Sequence, residues 1–203
     1  MKKQKLLTNA INAEQRLIHI NEVRNGLEYN STCPGCKEPL IAKNIGKIRE
    51  HHFTHKSNID CVTGYQTMIH LLAKAIIVQK KILSGFGLNG KLIIASQIGS
   101  EVRLNDLNII PDVFAMAPVS INYSYTGSII RNIPFIIEIF VTHKVDETKA
   151  KIIKGAGIPS IEINLSKSEA ATAEELIKCC SLTHLCSIIP VLLCDFLCIF
   201  DIS

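Results

Sequence analysis

The chain has 203 residues, of which 47% are hydrophobic, and its net charge is +4. This length supports one ordinary hydrophobic core plus a small module and excludes two large domains. The positive charge is concentrated near the N-terminus: residues 1–56 carry ten Lys and Arg against five Glu, and the other residues carry twelve against thirteen acids. Such a bias is compatible with a polyanionic partner, and it is also typical of a plain solubilising surface.

The eight cysteines raise the question of redox compartment. The N-terminal residues MKKQKLL are followed by a polar segment and not by the apolar run of a signal peptide. We therefore expect a cytoplasmic protein, in which closely spaced cysteines indicate a metal site before a disulfide. Five cysteines lie among apolar residues at the C-terminal end and are interpreted as small buried side chains. They are Cys179, Cys180, Cys186, Cys194 and Cys198.

The N-terminal half predicts a β-ribbon followed by a long helix. Residues 14–31 alternate apolar and polar side chains and contain Asn25-Gly26, a pair typical of hairpin turns. From Gly64 to Leu83 the apolar residues recur with the helical period. This period predicts a helix with one buried face.

The C-terminal half alternates predicted strands and helices. Apolar runs predict strands at 91–96, 107–117, 133–142 and 158–166, and helices are predicted at 146–157 and 168–180. The helix between the last two strands and the continuous apolar character of IIEIF favour an α/β fold with a mixed sheet and a parallel crossover.

The C-terminal tail, residues 184–203, fits the pattern least well. Its apolar stretch, residues 185–200, is interrupted by Pro190 and Asp195 and is shorter than the run of about 20 residues that a membrane span needs. We therefore expect no membrane segment. The tail is interpreted as a buried C-terminal segment or as a frame-shifted or truncated end.

Cys33 and Cys36 are two residues apart, and three histidines follow within residues 51–55. A Cys-x-x-Cys turn supplies two thiolates of a tetrahedral zinc site, and a second pair of ligands comes from a separate segment. The spacing leaves that second pair open. It is either His52 with His55 or His51 with His55, and Cys61 is a spare ligand.

A closed site with four protein ligands leaves no position for a substrate. We therefore expect a structural zinc ion that folds a small module. The alternative is that the cysteines only pack and the histidines lie on a solvated loop.

Two carboxylates fall in apolar, strand-like runs: Asp112 follows Pro111, and Glu138 lies within IIEIF. A buried carboxylate is costly unless something pairs with it. Two acids on adjacent strands can hold magnesium or manganese against a phosphate that is hydrolysed. The alternative is that Asp112 closes a turn and Glu138 points outward from an edge strand.

Basic side chains surround these acids in sequence. His70 belongs to a polar stripe on the predicted long helix, with Gln66 and Lys74 four residues away on either side, and we interpret it as part of an active-site wall. His143 is expected at the end of the strand that carries Glu138. Lys149 is expected on the first turns of the following helix.

Together these motifs resemble the competence protein CoiA-like family. In that family a zinc-ribbon-like module with CPxC and HFxH motifs precedes a nuclease-like domain of the PD-(D/E)XK type. The resemblance covers residues 14–166. The matching motifs are Cys33-Pro34-Gly35-Cys36, His52-Phe53-Thr54-His55, His70-Leu71-Leu72-Ala73-Lys74, Pro111-Asp112-Val113 and Glu138-Ile139-Phe140-Val141-Thr142-His143.

The resemblance implies how the chain is organised. A zinc-ribbon-like β module is expected over 14–62, and a PD-(D/E)XK nuclease-like domain, a mixed sheet flanked by helices, over 63–183. Residues 184–203 match nothing expected of the family.

The resemblance also implies roles for particular residues. His52 and His55 complete the zinc site with Cys33 and Cys36, and Asp112 and Glu138 bind magnesium. We then expect a magnesium-dependent DNA nuclease that processes incoming or foreign DNA, with proteins of DNA uptake as further partners.

One position departs from the nuclease pattern. The residue two after the strand glutamate is usually Lys or Gln in that pattern and is Phe140 here, which cannot donate a hydrogen bond. Either the basic role lies with Lys144, Lys149, His143 or Lys74, or the protein is a catalytically inactive, zinc-stabilised DNA-binding module. A metal-stabilised protein-interaction domain is a third hypothesis.

Overall fold

The structure is a computed structural model that describes residues 6–59, 61–81, 94–123, 127–142, 145–166 and 186–187. The predicted helix at 168–180 and nearly all of the tail lie outside these residues. The chain divides into two compact units, and among the described residues the first ends at Ala73 and the second begins at Lys74. The domain ranges inferred from the sequence stay predictions. No helix of the described part of the chain is long and apolar enough to cross a membrane.

The first unit contains two small antiparallel sheets. β1 (Asn9–Ile11) pairs with β2 (Leu17–His19), and β3 (Leu40–Lys43) pairs with β4 (His52–His55). A backbone bridge between Leu7 and Phe53 ties the N-terminal segment to β4. The buried apolar residues of this unit include Ala10, Ile20, Leu40, Ala42, Phe53, Met68 and Ile69.

The turn of the N-terminal hairpin lies earlier than the sequence predicted. Asn12 and Arg16 close it, because Asn12 Oδ1 accepts the Arg16 N–H at 2.8 Å. Gly26, with φ of +103°, instead exchanges two backbone hydrogen bonds with Ala42 at 3.0 and 2.9 Å. Within the β-ribbon predicted at 14–31 only β2 (Leu17–His19) is a strand. The predicted turn position was wrong, because the left-handed conformation of Gly26 directs the chain onto β3.

The predicted long helix is α1 (Val62–Lys80). Its buried apolar residues recur every three or four positions, which confirms the helical period of the sequence. They are Tyr65, Met68, Ile69, Leu72, Ala73, Ile76 and Ile77.

The second unit contains a mixed five-stranded sheet with strand order β5-β6-β7-β8-β9. β7 and β8 are parallel and the other neighbours are antiparallel. The parallel pair is connected through α2, so the expected α/β fold with a parallel crossover is present. The elements are β5 (Gln97–Ser100), β6 (Val113–Tyr123), β7 (Gly127–Phe140), α2 (Glu147–Gly155), β8 (Ser160–Asn164) and β9 (Cys186–Ser187).

The strand predictions differ in accuracy. Those at 133–142 and 158–166 overlap β7 and β8, whereas the one at 107–117 begins too early. Leu104 and Ile109 close a turn before β6, with a 2.9 Å backbone hydrogen bond from the Leu104 N–H to the Ile109 carbonyl. Of the strand predicted at 91–96, residues 91–93 lie outside the described residues, and residues 94–96 precede β5 and do not belong to it.

Helix α2 is fixed at both ends and along one face. Asp146 accepts the Thr148 N–H as an N-cap, and the Ala156 N–H satisfies the Ile152 carbonyl at the C-terminal end. Ile153 is fully buried and packs with Ile109 and Ile136. This contact sets how α2 lies on the sheet.

The Ile153 contact generates a stability prediction. Ile153→Ala should lower the free energy of unfolding by about 2–5 kcal/mol, because it leaves a cavity between α2 and β7. Urea unfolding followed by circular dichroism measures the loss. Ile130→Ala, at a β7 position that is 76% exposed, is the control and should change stability by less than about 0.5 kcal/mol. Equal losses for the two variants would contradict the core assignment.

Candidate metal centre and carboxylate site

The Cys33–Cys36 segment forms a tight turn that presents two thiols. The Cys33 N–H donates to the Glu38 carbonyl at 2.8 Å, and the Lys37 N–H donates to the Cys33 carbonyl at 3.0 Å. Cys33 is buried and Cys36 is exposed. The turn therefore holds one sulfur inside the unit and the other at its surface.

The third donor comes from the end of β4. Side chains alternate along a strand, so Phe53 and His55 share the buried face, and His52 lies on the opposite face. His55 Nε2 lies 3.3 Å from Cys36 Sγ. The strand thus delivers one histidine, and only one, to the cysteine turn.

The fourth donor is Cys61, directly before α1. Its Sγ accepts the Gly64 N–H at 3.2 Å and lies 3.9 Å from Cys33 Sγ. Gly64 has to lack a side chain, because a Cβ there would lie 2.8 Å from Cys33 Sγ and 3.2 Å from Cys61 Sγ. The first turn of α1 is therefore packed directly against the sulfur atoms.

The four donor atoms fit a tetrahedral zinc ion. One ligand atom from each of Cys33, Cys36, His55 and Cys61 lies within 4.8 Å of all the others. Zinc–sulfur bonds of about 2.3 Å separate two thiolates by about 3.8 Å and a thiolate from an imidazole nitrogen by about 3.5 Å. The distances of 3.9 Å between the Cys33 and Cys61 sulfurs and of 3.3 Å between Cys36 Sγ and His55 Nε2 agree with these values. The four residues are placed to bind a metal ion, consistent with structural zinc.

The surroundings of Cys33 and Cys61 shift their thiol pKa values in opposite directions. Burial raises the pKa of Cys33 to about 12, although backbone N–H groups of Cys36 and Gly35 oppose the rise. Burial also opposes ionisation of Cys61, but hydrogen bonds from the Thr63 hydroxyl, the Cys36 thiol and the Gly64 N–H outweigh it and lower the pKa. Without a metal ion Cys33 therefore keeps its proton. Binding of zinc to the Cys33 sulfur would displace that proton.

The ligand set differs from the sequence-based expectation in one member. His52 was expected to bind zinc, but its Nδ1 lies 2.8 Å from the Glu50 carbonyl, and it is not in the donor cluster. Cys61, the spare ligand, takes that place. The reason is strand geometry: residues three apart on β4 point to opposite faces, so His52 and His55 cannot serve one ion.

A row of three acidic residues crosses the second sheet. Asp112 directly precedes Val113, which pairs with Ile137, so Asp112 continues that register opposite Glu138. Glu138 in turn pairs with Glu162 on the parallel strand β8. Directly opposed residues point to the same face of a sheet. Glu138 and Glu162 are each only 5% exposed.

Glu138 is paired with a lysine from α2. Lys149 Nζ lies 2.7 Å from Oε1 and 2.8 Å from Oε2 of Glu138, so its ammonium group contacts both carboxylate oxygens. Burial raises the pKa of Glu138 to about 7, against the attraction of Lys149. Nearby Asp112 adds repulsion that raises this pKa further.

Lys149 reaches Glu138 because of the packing of α2. Ile153 contacts Ile136, and Lys149 lies one helical turn before Ile153. One helical turn advances about 6 Å over four residues and two strand residues advance about 6.6 Å. With α2 running antiparallel to β7, the next contact along the interface is therefore Lys149 with Glu138.

A second lysine lies beside Asp112. Lys74 Nζ, on a side chain that is only 6% exposed, is 2.6 Å from Glu101 Oε1 and 3.8 Å from Asp112 Oδ1. The other Asp112 oxygen, Oδ2, accepts the Ile139 N–H at 2.8 Å. The Asp112 side chain therefore extends the hydrogen bonding between β6 and β7 by one bond, and its other oxygen lies near the buried ammonium group of Lys74.

The other residues named from the sequence are placed as follows. His70 is half-buried on the part of α1 that belongs to the first unit, so its role stays a prediction. His143 lies outside the described residues. Phe140 is half-buried at the end of β7 and pairs with Asn164.

Sequence reasoning missed Glu162, although a signal was present. Its context, SIEIN, repeats the pattern of IIEIF, a glutamate between isoleucines in a strand buried on both faces. Its Oε1 accepts the Val145 N–H at 2.9 Å, which fixes the chain just before α2.

Comparison with protein families agrees with the first unit. The family model of the competence protein CoiA, N-terminal domain, matches residues 16–64. Those residues contain all four donors of the metal cluster. This match confirms the resemblance to the CoiA-like family over these residues, and it ends before the domain that was predicted to be nuclease-like. Searches of the curated proteins and of the solved structures found no match.

The ligand set generates a prediction about metal content. Cys61→Ser should lose most of the bound zinc, because it removes one of four ligands. His52→Ala should keep it, since His52 lies on the other face of β4. Zinc per chain is measured by mass spectrometry on purified protein. Loss of zinc from His52→Ala, with zinc retained in Cys61→Ser, would contradict the ligand set.

The pKa of Glu138 generates a prediction about pH. The folded-state pKa of about 7 exceeds the ordinary 4.5, so the folded chain holds the proton more tightly. The stability from this group is fully present below pH 4.5 and is lost as the pH rises through about 7. The size of the shift corresponds to about 3 kcal/mol. Glu138→Gln should therefore show a weaker loss of stability over this pH range than the wild type.

Urea unfolding at several pH values without added magnesium checks this prediction. Glu147→Gln, at an exposed position on α2, is the matched control and should keep the wild-type pH dependence. Parallel curves for Glu138→Gln and the wild type would show that Glu138 does not cause the loss.

Proposed function

We propose that this protein is a metal-dependent, nuclease-like protein that processes incoming or foreign DNA. In this proposal the zinc cluster is structural, and the row of Asp112, Glu138 and Glu162 forms the hydrolytic site. The observation that carries the proposal is the buried carboxylate of Glu138, which lies between Lys149 and Asp112 at the start of β6.

The order of elements supports a PD-(D/E)XK nuclease-like domain. An antiparallel β5-β6-β7 meander is followed by α2 and the parallel strand β8. Asp112 directly precedes β6 and Glu138 lies near the end of β7, so the two acids lie side by side on neighbouring strands. The same fold can serve binding without catalysis, so the activity depends on the site itself.

The arrangement of the carboxylates supports a cation ligand. Asp112, directly before β6, lies opposite Glu138, and Glu162 lies opposite Glu138 on β8. In this proposal Asp112 and Glu138 hold magnesium or manganese, because hard cations prefer carboxylate oxygens. When bound, the metal ion supplies an activated water and neutralises charge on the phosphate.

Lys149 is our candidate for the cationic role that Phe140 cannot perform. Its ammonium group reaches the same face of β7 on which the strand lysine of the nuclease pattern would lie. A lysine that is half-buried beside the reacting phosphate stabilises the charge that develops on its oxygens. His143 and His70 remain proposed auxiliary groups.

Glu162 has a positioning role in this proposal. Glu162 accepts the Val145 N–H and so fixes the segment that leads into α2. The position of Lys149 along β7 depends on that segment. Glu162 also adds negative charge beside Glu138.

The first unit supplies the DNA contact. Basic side chains of residues 1–56 bind backbone phosphates without reading the sequence, and zinc keeps the unit folded. Proteins of DNA uptake are the proposed protein partners.

A second candidate is a catalytically inactive, zinc-stabilised DNA-binding module. Two observations favour it: Phe140 replaces the usual lysine, and Lys149 already neutralises both oxygens of Glu138. In that case the carboxylate row only stabilises the sheet.

Cleavage of plasmid and single-stranded DNA with magnesium or manganese tests the proposal. Asp112→Asn and Glu138→Gln should each lower the rate by a factor of about 100 or more, because both hold the metal ion. Lys149→Met should lower the rate by about 100-fold with little change in DNA binding, since its charge acts on the transition state.

Lys151→Met is the matched control, because Lys151 is an exposed lysine on the same helix. It should cleave at the wild-type rate. Wild-type protein that binds DNA but does not cleave it would reject the hydrolase and support the binding module. Equal rates for Lys149→Met and Lys151→Met would remove Lys149 from the site.

A further inference from the structure

The turn that joins β3 to β4 exposes two isoleucines. In the β3–β4 tip, defined as residues 44–51, Ile45 is 76% exposed and Ile48 is 99% exposed. Single exposed isoleucines are common on protein surfaces. Two of them three residues apart at the tip of a hairpin form a patch that is available to a partner.

Cations alternate with these isoleucines. Lys43, Lys47 and Arg49 are all exposed, and no acidic residue occurs between positions 43 and 49. The next acid along the chain is Glu50. With Lys43 directly before it, the tip therefore combines an apolar end with three positive charges against the one negative charge of Glu50, which favours a polyanion that also offers apolar surface.

The tip is fastened at both ends. The Asn44 side chain donates to the Ile20 carbonyl at 3.1 Å and to the Val23 carbonyl at 2.7 Å. His51 contacts the Gly46 carbonyl through Nε2 at 3.1 Å. These contacts position the tip before any partner arrives, which lowers the entropy that binding would cost.

We propose that the β3–β4 tip binds double-stranded DNA at an unstacked base step. Lys47 and Arg49 contact phosphates on either side, and Ile45 and Ile48 pack against the exposed base faces. Proteins that open or kink DNA combine cations with apolar wedges in this way. The inference rests on the DNA-handling part of the proposed function and does not depend on cleavage.

Other partners fit the tip less well. A stable protein interface buries about 800 Å² on each partner, which is more than two isoleucines and their neighbours provide. Stable attachment to a membrane needs a larger apolar surface, since even one acyl chain binds only marginally. A mismatch or bubble in DNA needs only a small wedge, because the bases there are already poorly stacked.

The test uses the full chain loaded with zinc and two fluorescent duplexes, one intact and one with a central mismatched bubble. The wild type should bind the bubble about tenfold more tightly than the intact duplex. The double variant Ile45→Ser with Ile48→Ser should lose this preference and keep the wild-type salt dependence. The double variant Lys47→Gln with Arg49→Gln should reduce the slope of log affinity against log salt by about two.

Two control variants separate the tip from general surface effects. Ile130→Ser changes an isoleucine on β7 that is as exposed as Ile45, and Lys56→Gln removes an exposed charge outside the tip. Ile130→Ser should keep the wild-type bubble preference, and Lys56→Gln should change the salt slope by less than the double charge variant does. Zinc content, measured for each variant, confirms that the first unit is folded.

Each outcome decides between the proposals. A bubble preference that survives in the double isoleucine variant overturns the tip proposal and leaves the proposed function standing. The tip proposal is also overturned if the double isoleucine variant binds DNA normally but loses binding to anionic vesicles or loses self-association. A wild type that binds neither duplex overturns DNA handling itself, and the tip proposal with it.

Discussion

The burial of the Glu138 carboxylate is the constraint on which the second unit depends. A lone ionised carboxylate inside a protein is strongly unfavourable, so β7 needs a cation within reach. Lys149 supplies it, and its position follows from the contact of Ile153 with Ile136 one helical turn away. The apolar packing and the ion pair are thus two consequences of one docking geometry. A shift of α2 along the strand by one helical position would break both.

In the first unit the candidate metal cluster adds to a small apolar core. Its sheets have only two strands each, and short paired strands are marginal on their own. The donors come from three separate segments: the cysteine turn, β4 and the residue before α1. A bound ion would therefore connect these three segments to one another. The close approach of Gly64 to Cys33 Sγ shows that the helix start is shaped around this cluster.

The sequence predicted elements that depend on local periodicity and failed where long-range pairing decides. The period of α1 and the crossover through α2 were both correct, because each rests on a continuous apolar pattern. The Asn25-Gly26 turn was misassigned, since its pairing with Ala42 cannot be read locally. The zinc ligands show the same division. Cys33, Cys36 and His55 were found by their sequence motifs. The choice of Cys61 over His52 required knowing which side chains of β4 lie on its buried face. Glu162 was missed because only the register of β8 brings it opposite Glu138.

The distinction between a hydrolase and a binding module depends on one ammonium group. Lys149 neutralises Glu138 as the structure stands, and this is the arrangement expected of a purely structural ion pair. Yet the row also contains Asp112 and Glu162, two further carboxylates beside Glu138. In the proposed hydrolase, a cation held by Asp112 and Glu138 would weaken the hold on Lys149. Its ammonium would then be available to a phosphate oxygen, which is the role that Phe140 leaves open. In this view the ion pair is the resting state of the site, and the departure at Phe140 and the charge of the row have a common explanation.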